Sequence, residues 1–268
     1  MGPTEPQGVT PWLHVEGPAT ASPLLLVSGL GGTAAFWAPV QELLRGRFRA
    51  AAYDQPGCGD RDASEGPVSI ARLAEDAAAT ALSVFGARPV TVVGHSTGGA
   101  IAQCLAASRP DLVDRLVLSG TWLRADGYMQ ALFGYRRALL ERAPELAGGL
   151  TALLTADMAG ISAASLAPRP LTRGQVASVV ARIDALLAFD GVSFAGQIRA
   201  PCLVVGARDD RVVPPARQAD LADALPGATL EMLPEGGHFF PRTRPDRFVR
   251  CVESWLSVGD RATTRPGD

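Results

Sequence analysis

The sequence predicts an α/β protein: a mostly parallel, doubly wound sheet carrying an inserted helical cap. Three observations point there. Apolar runs alternate with segments of helical periodicity along most of the chain's 268 residues. Several of those runs are unbroken stretches of leucine and β-branched residues, the pattern of parallel strands covered on both faces. One stretch, from Trp122 to about Gly191, breaks the rhythm with helical patterns and no strand.

Taken in order, the elements follow from local chemistry. Residues 1 to 9 are rich in proline and glycine without periodicity and read as a loose tail. Strands are expected at Trp12 to Val15, Leu24 to Ser28 and Arg49 to Tyr53, with a helix at Thr33 to Leu44 between the last two. Ser69 caps a helix reaching Phe85, in which Ile70, Leu73, Ala77, Ala81 and Val84 recur at helical spacing. Further strands fall at Val90 to Val93, Leu116 to Ser119, Cys202 to Gly206 and Thr229 to Leu233, and a last helix at Asp246 to Leu256. In the strandless stretch, Tyr128 to Arg142, Glu145 to Thr155 and Thr172 to Leu187 read as helices punctuated by Pro144, Pro168 and Pro170. Their apolar positions Met129, Leu132, Phe133, Leu139, Met158 and Leu186, with Phe189 just beyond, face either one another or a pocket beneath. The expected organisation is a core of residues 1–121 and 192–257, a helical cap of residues 122–191, and a polar tail of residues 258–268.

Composition narrows the function. A hydrophobic content of 47% and a charged content of 19% suit a buried-sheet globular protein. The net charge of −2, with no basic cluster longer than Arg136-Arg137, gives no footprint for nucleic acid. All 25 basic residues are arginine, which excludes Schiff-base chemistry and a Walker-type phosphate loop, since both need a lysine amine. The four cysteines, Cys58, Cys104, Cys202 and Cys251, form no Cys-x-x-Cys pair and read as buried, reduced side chains. Neither a signal-like N-terminus nor a membrane-length apolar run is present, so the expected location is the cytoplasm.

The chemistry concentrates at Gly94-His95-Ser96-Thr97-Gly98-Gly99, which follows an apolar strand and opens a helix. A Gly-x-Ser-x-Gly turn in that context holds its serine in a strained conformation and lifts the hydroxyl clear of the sheet. A serine hydroxyl needs an imidazole to take its proton and a carboxylate to orient that imidazole. Of the three histidines, His95 adjoins Ser96 and diverges from it, and His14 belongs to the N-terminal strand. His238, in the glycine-rich loop after the last strand, remains as the base. The acid belongs on the loop after the preceding strand, where counting back from Pro214 favours Asp210 and counting forward from Gly206 favours Asp209. An oxyanion would find two backbone donors, Thr97 N–H at the helix start and Leu30 N–H in the loop Ser28-Gly29-Leu30-Gly31-Gly32.

With those residues together, the chain resembles the α/β-hydrolase superfamily across nearly its whole length. Tyr53-Asp54-Gln55-Pro56-Gly57-Cys58-Gly59 is similar to that family's Asp-x-Arg/Pro-Gly-x-Gly loop, Asp210-Arg211-Val212-Val213-Pro214 to its acid loop, and Gly236-Gly237-His238 to its histidine loop. Within the superfamily it resembles the aminoacrylate or carbamate hydrolases of pyrimidine utilisation, then 3-oxoadipate enol-lactonases. The matching residues include Ser28 to Gly32 with Trp37, Trp122-Leu123-Arg124, and Asp209-Asp210 before Val213-Pro214. It departs from the first group in a shorter, alanine-richer cap and in its His95-Ser96-Thr97 elbow.

The resemblance implies an α/β-hydrolase fold, Asp210 rather than Asp209 as the acid, and Gly29, Trp122 and Arg124 beside the substrate; at the junction of core and cap Arg124 reads first as a surface or core–cap salt-bridge residue and second as a receptor for a substrate carboxylate. The expected protein is a serine hydrolase, without cofactor or metal, that cleaves an ester, lactone or small amide or carbamate through an acyl-enzyme. Two rivals are a lyase or dehydratase using the same groups, and a small-molecule-binding protein that kept the fold and lost turnover. The expected partner is a small-molecule substrate, with no nucleic acid or membrane, and self-association into a homodimer is left open.

Overall fold

The computed structural model describes residues 10–155 and 161–263. Seven strands among them, β1 (Leu13–Glu16), β2 (Ser22–Val27), β3 (Phe48–Tyr53), β4 (Val90–His95), β5 (Val113–Ser119), β6 (Cys202–Ala207) and β7 (Thr229–Leu233), form one sheet in the order β1-β3-β2-β4-β5-β6-β7. β1 pairs antiparallel with β3 at one edge, and every other pairing is parallel. Unbroken apolar runs were the signal for these strands, and the packing shows why. Successive side chains leave opposite faces, so Leu25 and Val27 join one core cluster while Leu24 and Leu26 join the other.

Helices cover both faces. On one side lie α2 (Ile70–Phe85), α3 (Thr97–Ser108) and α7 (Pro215–Ala224), packed through Leu73, Ala77, Ile101, Leu105 and Leu221. On the other lie α1 (Ala38–Leu44), the short α8 (Phe240–Thr243) and α9 (Pro245–Thr263), packed through Val40, Leu44, Phe240, Phe248 and Val252. Between β5 and β6 the described residues hold α4 (Gly127–Arg142), α5 (Ala147–Thr155) and α6 (Arg173–Ala188), but no strand. The ends of this segment meet in a single bridge between Arg124 and Asp190, and Gly191 N–H donates to Leu123 O at 2.7 Å. Among the described residues no helix is long and apolar enough to cross a membrane.

Three expectations need correction. The helix placed at Thr33 to Leu44 is split into a 3-10 turn, Ala34–Trp37, and α1, because Pro39 has no amide to continue the ladder between them. β5 begins at Val113 rather than Leu116; Asp114 and Arg115 interrupt the apolar run but not the extended backbone. The polar tail expected from residue 258 instead continues α9 to Thr263, while residues 264–268, like residues 1–9 and Met158, lie outside the described residues. The cysteines are free, with Cys202 buried and the others partly so. Burial pushes the Cys202 thiol up to about 12, which keeps it protonated.

Candidate active site

Four loops at the carboxyl ends of β2, β4, β6 and β7 converge on one spot, as open parallel sheets dictate. Ser96 sits between β4 and α3 with φ 55° and ψ −123°, and among the described residues no other non-glycine has a positive φ. Its neighbours make that conformation tolerable. A Cβ on Gly94 would collide with the Gly98 carbonyl, and one on Gly98 with the Val27 carbonyl, so only glycine lets strand and helix approach this closely. The Ser96 amide is fixed by donating to Ser119 O at 2.8 Å.

Ser96 Oγ lies 2.9 Å from His238 Nε2, and His238 Nδ1 lies 2.8 Å from Asp210 Oδ2. All three side chains are buried. The Asp210 carboxylate also accepts Val212 N–H at 2.8 Å and Val213 N–H at 2.9 Å through Oδ1. An ionised carboxylate can only accept, so Nδ1 of the neutral imidazole carries its proton and Nε2 is left to accept from Ser96 Oγ–H. Asp209 faces elsewhere. Its two oxygens accept Gly236 N–H at 3.1 Å and Gly237 N–H at 2.9 Å, tying the β6 loop to the loop that presents His238.

His95 packs beside this relay rather than entering it. Its ring stacks on Phe36 at 4.8 Å, lies 4.9 Å from the His238 ring, and hydrogen-bonds Ser119 Oγ through Nδ1 at 3.1 Å. Burial first, and the neighbouring His238 second, hold its pKa well below the ordinary imidazole value, so it stays neutral. His14 lies in edge strand β1, away from these loops.

The loop Ser28 to Gly32 borders Ser96 on the other side. A Cβ on Gly29 would stand 3.0 Å from Ser96 Cβ and 3.5 Å from its Oγ, so this backbone passes directly over the hydroxyl. Neither the Leu30 nor the Thr97 amide donates to a backbone carbonyl among the described residues. Two side chains secure the loop: Gln55 Nε2 donates to Ser28 O at 2.6 Å, and Arg182 of α6 donates from Nε to Leu30 O at 3.1 Å and from a terminal nitrogen to Gln55 Oε1. Asp54, from the same stretch, caps the 3-10 turn by accepting Ala34 N–H at 2.7 Å.

A cavity of about 350 Å³ opens above Ser96 and His238, floored by the Ser28 to Thr33 loop and roofed by α4 and α5. Phe133 and Leu139 line it as the periodicity allowed, whereas Met129, Leu186 and Phe189 are packed in the core, with Leu132 partly buried against it. Two expected substrate neighbours are elsewhere. Trp122 is wholly buried in the core, its carbonyl accepting Gln103 Nε2 at 3.0 Å, and does not line the cavity. Arg124 is exposed and pairs with Asp190 at 3.5 Å across the two ends of the helical segment. The arginine that does line the roof is Arg136. In the sequence it stands out only as half of a basic pair, although it falls on the helical stripe Met129, Phe133, Leu140, which are all buried.

Residues 24–251 match the Alpha/beta hydrolase family. Over 256 residues the chain is 36% identical to a Caulobacter sp. (strain K31) protein named "Putative carbamate hydrolase RutD", an alignment covering 90% of this chain and 93% of that one. A protein of the same name from Azorhizobium caulinodans is 34% identical, covering 88% and 91%. The crystal structure of the enol-lactonase from Burkholderia xenovorans LB400 has a TM-score of 0.79 at 24% identity, covering 91% of this chain and 95% of that one, a likeness of fold. A hydrolase from Pseudomonas aeruginosa PA01 gives 0.77 at 25% identity, covering 91% and 93%. On the sheet order, the strained serine turn and these matches, the chain belongs to the alpha/beta hydrolase family and is a hydrolase.

Proposed function

We propose that this hydrolase cleaves an ester, lactone or carbamate bond of a small molecule through a covalent acyl-enzyme on Ser96. The observation that carries the reading is the continuous relay from Ser96 Oγ through His238 to Asp210, at 2.9 and 2.8 Å, beneath the cavity. His238 Nε2 takes the hydroxyl proton as Ser96 Oγ attacks the carbonyl carbon. The oxyanion accepts the Leu30 and Thr97 amides, and Asp210 stabilises the imidazolium. Collapse expels the alcohol or amine, which takes the proton from His238. A water then attacks the acyl-enzyme with His238 again as base, releasing the acid and restoring Ser96.

Carbamate and lactone substrates are supported by the names of the relatives and of the structural neighbour. The helical segment 122–191 serves in this reading as a cap that shapes the cavity, with residues 1–121 and 192–257 as the core that carries the relay. Ser96→Ala is expected to keep the fold and to lower turnover of p-nitrophenyl acetate by about 10⁴-fold or more. A fluorophosphonate should label the wild type at Ser96 and leave the variant unlabelled. Unchanged turnover in Ser96→Ala, or a wild type inert to the probe, overturns the nucleophile.

A further inference from the structure

The relay uses the floor of the cavity and leaves its roof unexplained. Arg136 lines that roof from α4, its guanidinium carbon 5.3 Å from the Phe133 ring centroid and one terminal nitrogen donating to Thr151 Oγ1 at 3.1 Å. The Thr151 hydroxyl donates in turn to Ala147 O at 2.9 Å, so its lone pairs are turned to the guanidinium. No carboxylate among the described residues pairs with Arg136. The next residue behaves in the ordinary way: Arg137 meets Glu141 at 3.1 Å and Asp184 at 2.6 Å on the outer face of the same helix.

A guanidinium carries five N–H donors in a fork that fits a carboxylate, and here one hydrogen bond and one ring face leave most of the fork unused. Burial pushes its pKa down to about 10, so it is still a cation at neutral pH. Taking a cation out of water without a counter-ion is costly, and an entering anion would relieve that cost. The surroundings agree in sign. No Asp or Glu is found among the described residues lining the cavity, and a second arginine, Arg242, reaches it from the exposed side near His238. The remaining wall is apolar, with Leu139, Leu150, Leu171 and Val212, and suits a short carbon chain between two polar ends.

We propose that Arg136 is the receptor for a substrate carboxylate, so that the natural substrate is an anionic small molecule with a carboxylate at one end and the scissile carbonyl at the other. For turnover this rests on the reading of Ser96; for binding it does not. The test compares p-nitrophenyl hemisuccinate with p-nitrophenyl butyrate, matched in chain length and different in terminal charge.

Wild type is expected to favour the hemisuccinate in kcat/KM by about tenfold or more, the range of a charge-assisted pair. Arg136→Met should bring that ratio to about one, through the KM of the hemisuccinate, and leave butyrate within about twofold; Arg136→Lys should recover part of the preference. A wild-type ratio near one, or the same ratio in folded Arg136→Met, overturns the proposal while leaving Ser96 in place. If neither ester is turned over and the fluorophosphonate fails to label Ser96, the nucleophile reading falls. Glutarate binding to the wild type by calorimetry then decides for Arg136, expected about tenfold tighter than in Arg136→Met. Equal affinity or no binding in that case overturns it.

Discussion

Asp209 and Asp210 differ by one position in the chain, yet their carboxylates meet different partners. Asp210 holds His238 Nδ1, and Asp209 holds the amides of Gly236 and Gly237. Replacing Asp210 with Asn offers the imidazole a donor where it had an acceptor. The proton then moves to Nε2, where it blocks acceptance from Ser96, so kcat for p-nitrophenyl acetate should fall by about 10⁴-fold. Asp209→Asn keeps one acceptor oxygen for the glycine amides and should cost about tenfold or less. Equal losses, or the reverse order, would mean that the two roles are misassigned. The sequence could not make this choice by counting, because Gly206 and Pro214 give different answers. What separates the two residues is which backbone amides close around each carboxylate, and those amides belong partly to a loop at residues 236 and 237. Ser96 and His238 were legible for the opposite reason: the strained turn demands its flanking glycines locally, and few histidines compete.

At the scale of elements, α6 reaches from the helical segment into the serine site through one side chain. Arg182 is almost wholly buried, and donates to the Leu30 carbonyl and to Gln55, which itself holds Ser28 O. The Leu30 amide shares its peptide plane with the Gly29 carbonyl, which accepts Gly32 N–H at 2.9 Å, and Arg182 holds the adjoining plane by the Leu30 carbonyl, so the turn that aims the amide is fixed on both sides. Arg182→Met should therefore lower kcat for p-nitrophenyl acetate by about 10- to 100-fold with KM changed little, as expected when a donor needed mainly in the transition state loses its aim. A variant that folds with kcat unchanged would show that the contact only packs. Two arginines of this segment lie on helical stripes, half-buried Arg136 between Phe133 and Leu140 and buried Arg182 between Val179 and Leu186. A charge on an apolar stripe was thus visible in the sequence. Its partner was not, since Leu30 stands 152 positions from Arg182 in the chain. All seven strands were placed, six of them within two residues at either end and β5 short at its start, because unbroken apolar runs report burial on both faces and charged residues such as Asp114 and Arg115 hide it. Arg124 was placed at the correct junction, where a salt bridge between core and cap was its ordinary reading, but nothing in local pattern foretells that the partner is Asp190 across an antiparallel bridge.

Over the whole molecule, the segment between β5 and β6 is separate in sequence but not in packing. Trp122, Met129, Phe133, Ile183, Leu186 and Phe189 belong to the same buried cluster as Leu25, Val92, Ile101 and Leu116 of the sheet and α3. Polar ties run alongside, from Tyr128 Oη to Arg211 O at 2.5 Å, from Ser178 Oγ to Gly57 O at 3.1 Å, and from Phe239 N–H to Thr155 O at 3.2 Å. A segment joined through a continuous apolar core has no surface on which to part from the sheet without exposing both sides, so the two should unfold together. Leu186 is fully buried at that junction. Truncating it to alanine should cost about 2–5 kcal/mol, lowering Tm by roughly 5–15 °C in a chain of this size. The decisive feature is the shape of the transition. Far-ultraviolet circular dichroism, which follows the whole chain, and tryptophan fluorescence, to which buried Trp122 contributes, should shift by the same amount and stay superimposed. A variant that shows a first transition confined to the helices, with the sheet melting later at the wild-type temperature, would mean that the cap is an independent unit resting on the core.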